Sequence, residues 1–125
     1  VYGINGTAVI ASKALAGRVI SDDVLRVAPS ARCTIPIGYL WVALSHPVLG
    51  RALVKALAYG SSIPHIDPED FAMLAVPRLR ATEEREISAL AERGAFSFGE
   101  ADVLERALAD DADAIIERFI AGSRP

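Results

Sequence analysis

Over residues 103–120, apolar side chains return every three or four positions: Val103, Leu104, Ala107, Leu108, Ala112, Ile115, Ile116, Phe119 and Ile120. That interval matches the 3.6-residue turn of an α-helix. Asp, Glu and Arg fill most of the positions between them, so residues 100–121 read as one amphipathic helix. Each large apolar side chain left in water forgoes roughly 1.5–3 kcal/mol. A fold that contains this stripe must therefore offer it a second surface. The reading places Val103, Leu108, Ile115 and Phe119 against another helix, either 83–93 or a copy in a partner chain.

Upstream, helix and strand signals alternate. Residues 1–10 and 17–27 are rich in Val and Ile and read as strands, the second broken by a bulge or tight turn at Ser21-Asp22-Asp23. Pro29 to Arg32 is a loop. Thr34 is placed to cap a helix over 37–45 that Pro36 starts and Pro47 stops. A second helix is expected over 48–59, ended by Gly60. On these two helices Leu40, Leu44, Leu53 and Leu57 are expected to be buried together. Residues 61–66 read as a loop. Asp67 then caps a short helix over 68–74, with Pro68 at its first position. Val76 to Arg80 reads as an edge strand because it contains Pro77. Thr82 caps the next helix, which Gly94 ends, and Phe96 to Gly99 forms a turn before the last helix.

The chain has 125 residues, 52% of them hydrophobic, enough for one core without metals or disulfides. Its single cysteine, Cys33, has no internal partner and reads as a small half-buried side chain in a reducing, cytoplasmic setting. The longest apolar run, 35–44, contains Pro36 and Gly38 and is far short of a membrane span. The chain opens at Val1 directly in strand-like sequence, which reads as the C-terminal part of a longer polypeptide.

The net charge of −3 is unevenly spread. Residues 1–80 carry eight Lys/Arg against five Asp/Glu, whereas 81–125 carry five against eleven. The division suggests a mildly basic globular part, 1–81, and an acidic helical part, 82–125. Little points to catalysis. His46 and His65 stand nineteen residues apart, and no Cys or His pair has metal-ligand spacing. Ser61, Ser62, His65 and Asp67 supply the residue types of a triad but crowd into one loop, where triad members normally converge from distant segments. Gly3-Ile4-Asn5-Gly6-Thr7 lacks the lysine of a phosphate loop and the third glycine of a dinucleotide fingerprint. What is left is cationic: Lys13, Arg18, Arg26, Arg32, Arg51, Lys55, Arg78 and Arg80. Arg51 and Lys55, four apart, share one helix face.

The order of motifs adds to this. Gly38-Tyr39-Leu40-Trp41-Val42-Ala43-Leu44-Ser45 precedes Pro47 and Gly50-Arg51-Ala52-Leu53. Then come Tyr59-Gly60-Ser61-Ser62-Ile63-Pro64-His65-Ile66, Pro68-Glu69-Asp70, Val76-Pro77-Arg78-Leu79 and the acidic helix start Glu83-Glu84-Arg85. This resembles the second half of the target-recognition domain in specificity subunits of type I restriction–modification systems, over residues 1–93. Asn5-Gly6-Thr7, Leu15-Ala16-Gly17, Ser21-Asp22 and Leu25-Arg26-Val27 are similar to the family's preceding strands. Two features depart from the pattern. The family's Gly-Thr-x-Gly-basic turn is incomplete, since Gly6-Thr7-Ala8 runs on into Val9 and Ile10, and no DNA contact is assigned to it. The family's helical spacer is one long helix, which Gly94 to Gly99 is expected to interrupt here.

The resemblance implies that the domain reads one half of a split DNA site, while the long helices pair as an antiparallel coiled coil that sets the spacing and holds methyltransferase (modification) and restriction subunits. Catalysis then belongs to those partners. S-adenosylmethionine is implied for the complex, and no cofactor for this chain. The expectation is thus an α+β fold, a partial target-recognition domain of short strands and helices followed by C-terminal amphipathic helices. Arg51, Lys55, Ser61, Ser62, His65, Arg18 and Lys13 are the candidate contacts to double-stranded DNA. The alternatives are a protein–protein interaction module built on Tyr39, Trp41 and the last helix, or the recognition part of a fused methyltransferase or nuclease.

Overall fold

The computed structural model describes residues 6–12, 15–21, 24–60 and 64–122. Among them, helices α1 (Ile37–Ser45), α2 (Gly50–Ala56), α3 (Pro68–Ala72) and α4 (Ala81–Ile120) accompany an antiparallel pair, β1 (Ala58–Tyr59) and β2 (His65–Ile66). The class is α+β. No single helix among these residues is long and apolar enough to cross a membrane.

α1 spans the expected residues. Its N-cap is Pro36, whose fixed φ suits the approach, and no side chain caps it, so Thr34 does not have the role the sequence suggested. Before Pro47 the chain bends, and α2 leaves at 72° to α1. His46 pins that bend twice: its Nδ1 accepts the Leu49 N–H at 3.2 Å, and its carbonyl accepts the Arg51 N–H at 2.9 Å. Gly50 makes the bend possible. A Cβ there would lie 1.8 Å from the Ala43 carbonyl oxygen, so only glycine lets the two backbones approach this closely.

This start, two residues later than the sequence suggested, decides what α2 buries. Gly50 and Val54 lie one turn apart on the inward face, and both are buried. Leu53 is on a neighbouring face and 48% exposed; Leu40 and Leu57 are half-buried. The expected four-leucine cluster is therefore replaced by Tyr39, Leu44 and Val54 as the buried apolar core.

β1 takes the two residues expected to finish α2. Gly60 has φ +95°, as expected, but it opens the hairpin between β1 and β2 instead of closing a helix. A left-handed glycine serves both purposes, and the pairing of Ala58 with Ile66 and Tyr59 with His65 decided between them. Asp67 does cap α3, accepting the Glu69 N–H at 2.7 Å, with Pro68 in the first turn. Residues 76–80 carry no strand, and side chains meet two of their backbone groups. The Tyr39 hydroxyl donates to the Pro77 carbonyl at 2.7 Å, and the Leu79 N–H donates to the Glu84 carboxylate at 3.0 Å. The described parts of 1–10 and 17–27 also carry no strand, having no neighbouring strand to bond with.

α4 is one continuous helix of 40 residues, roughly 60 Å long. Arg80, not Thr82, is its N-cap; the Arg80 N–H donates to Glu83 at 3.1 Å. A glycine ends a helix by turning left-handed, and neither Gly94 nor Gly99 does so; Gly122, at φ +77°, does. The interruption expected over 94–99 is absent. With it goes any packing of Val103, Leu108, Ile115 and Phe119 onto 83–93, which belong to the same helix. The base of α4 packs on α1 where Gly38 meets Ser88. A Cβ on Gly38 would stand 2.5 Å from the Ser88 carbonyl oxygen, so the two backbones nearly touch.

Candidate nucleic-acid interface

Two of the eight upstream cations are committed to the fold. The Arg78 guanidinium grips Glu84 with two hydrogen bonds, Nε at 2.7 Å and Nη2 at 2.9 Å. Glu84 is buried, 1% exposed, and accepts the Leu79 N–H as well. The hydrogen bonds from Arg78, ahead of its charge, hold the Glu84 carboxyl below the usual range and raise the Arg78 pKa. Arg80 and Glu83 pair at 2.6 Å, with Glu83 lowered and Arg80 raised for the same reason. Arg78 and Arg80 thus clamp the 76–80 segment to α4.

Arg51 and Lys55 are different. Neither takes part in an ion pair among the described residues. Arg51 Nη2 donates to the Thr7 hydroxyl at 3.5 Å, and its Nε is buried without a hydrogen-bond partner. The Gly6–Thr7 turn lies directly on this face of α2. Gly6 is buried with φ +80°, and a Cβ there would stand 2.8 Å from Lys55 Cγ and 3.3 Å from the Arg51 carbonyl. The strand-like segment beyond it is held by Trp41, whose Nε1 donates to the Ala8 carbonyl at 3.0 Å. A glycine–threonine turn and two cations with no carboxylate partner among the described residues therefore share one surface.

His65 stands on β2, directly after α2 and its hairpin, with its ring 6.3 Å from that of Tyr59 and tilted by 47°. Both side chains are exposed, on the pair nearer the hairpin's connection. Lys13, Ser61 and Ser62 lie outside the described residues. Arg18 follows a turn, its N–H donating to the Leu15 carbonyl at 3.1 Å, and no hydrogen bond or ion pair among the described residues joins its side chain to α2. The structure thus sets Arg51 and Lys55 one turn apart on α2, with no hydrogen bond linking Arg18 to either. Thr7 and Gly6 were passed over in the sequence because the turn lacked its basic residue; the cations come instead from α2, 44 positions away from Thr7 in the case of Arg51. Cys33, expected to be half-buried, is exposed.

No protein-family model, no curated protein and no solved structure matches this chain.

Proposed function

We propose that this chain is the C-terminal portion of a DNA target-recognition domain in a type I restriction–modification specificity subunit. On this reading α2 and the Gly6–Thr7 turn face double-stranded DNA, and α4 contacts the partner subunits. The observation that carries the reading is the Arg51–Lys55 surface. Among the described residues these two cations have no carboxylate partner, and the Gly6–Thr7 turn packs beside them. A phosphate fits such a place, because long cations held on a helix supply charge to it.

The unbroken α4 supports the second half of the reading, because a spacer of this family is one long helix. Methyl transfer and cleavage then reside in the modification and restriction subunits. This chain needs no cofactor of its own, and its place of work is the cytoplasm. A second reading, a protein–protein interaction module, draws on the exposed apolar face of α4, where Leu108 is 70% and Phe119 81% exposed. Selection from a pool of random-sequence duplexes separates the two. Target recognition enriches a defined base pattern, and Arg51→Ala with Lys55→Ala abolishes the enrichment. A module that binds only protein enriches nothing.

A further inference from the structure

α4 is anchored toward its N-terminal end. Its base packs on α1 where Gly38 meets Ser88, and the Arg78–Glu84 pair ties it to the 76–80 segment. From residue 100 to residue 120 every side chain is exposed. These residues form an arm of roughly 30 Å without packing support from the other described elements.

Between base and arm lies Gly94-Ala95-Phe96-Ser97-Phe98-Gly99. All of these but Ala95 are poorer helix formers than Ala, Leu, Glu or Arg, and the two glycines are the poorest. The flanking stretches 83–93 and 100–108 are built mainly from the better formers. The segment carries no charge, so no ion pair one turn apart braces it. Packing offers little in return: Phe96 is 56% and Phe98 75% exposed, and a Cβ on Gly94 would meet nothing within 4 Å. Gly99 is buried, so Gly94 is the open one of the two. Helices bend sharply at Gly and Ser, and they open locally where apolar contacts are few and backbone hydrogen bonds face water. We infer that residues 94–99 are a hinge. The hydrogen-bond ladder of α4 opens there while the base stays docked on α1, and the 100–120 arm swings as a rod against the α1–α2 part. The continuous helix is the closed form of this hinge. The device sets where the arm points relative to the α2 surface, and it stands whether or not that surface meets DNA.

The test uses the 125-residue chain with Cys33→Ser and spin labels on two cysteine pairs at exposed positions of α4, both pairs roughly 21 Å apart along the helix. Glu86→Cys with Glu100→Cys spans the hinge, whereas Glu100→Cys with Ala114→Cys lies within the arm. Dipolar spectroscopy should give a distance distribution about twice as broad across the hinge as along the arm. Gly94→Ala should narrow the first distribution toward the second and slow amide hydrogen exchange over 94–99 about three-fold. Equal breadth for the two pairs, a breadth that Gly94→Ala leaves unchanged, or amide protection that falls steadily from 93 to 120 with no minimum over 94–99 would each overturn the inference.

Discussion

A carboxylate with almost no exposed surface sits at the base of α4, and the fold depends on its staying ionised. Glu84 accepts hydrogen bonds from Arg78 and from the Leu79 N–H, so it binds a proton less readily in the folded chain than in the unfolded one. The unfolded state therefore takes up more protons as the pH falls below about 4, and stability drops there. Above that range the contribution is fully present. Thermal melts at neutral pH and near pH 3.5 should show a steep loss for the native chain. Glu84→Gln should start less stable and change less on acidification; an unchanged pH response would remove Glu84 from this role. Gly50 acts at the same scale by sterics. With the Ala43 carbonyl 1.8 Å from its would-be Cβ, Gly50→Ala should cost about 1–3 kcal/mol, read by chemical denaturation.

At the scale of the element, two glycines show what a sequence can and cannot say. Gly60 was legible as left-handed, but the same φ ends a helix or turns a hairpin, and only the partner residues 65–66 distinguish them. Gly94 read as a helix end, because glycine lowers helix propensity; yet the penalty against alanine is only about 1 kcal/mol, less than the neighbouring turns supply. α4 accordingly runs through it. Since Gly94 is helical with open space where a Cβ would go, Gly94→Ala should stabilise the free chain by about 0.5–1 kcal/mol. A destabilised variant would contradict a continuous helix. The extent of α1 and the Asp67 cap of α3 were legible, since proline and a capping side chain act through local geometry alone. The strands expected upstream were not, because a strand is defined by a neighbour that no local signal supplies.

For the whole molecule, charge division and helical spacing separated a cation-bearing part from an acidic helix, and they placed Arg51 and Lys55 on one face. What they could not supply was long-range contact. The Gly6–Thr7 turn reaches Arg51 across 44 positions, and the Arg78–Glu84 and Arg80–Glu83 pairs commit two of the upstream cations to the fold. The account's central claim is that the α2 surface meets the phosphate backbone. The direct measurement is duplex binding over a salt series from about 50 to about 200 mM, with the native chain and the Arg51→Ala, Lys55→Ala double variant side by side. The account predicts weaker binding by the variant and a log-affinity slope against log salt flatter by about two units, with circular dichroism unchanged. Equal affinity and equal slope in a folded variant would contradict it.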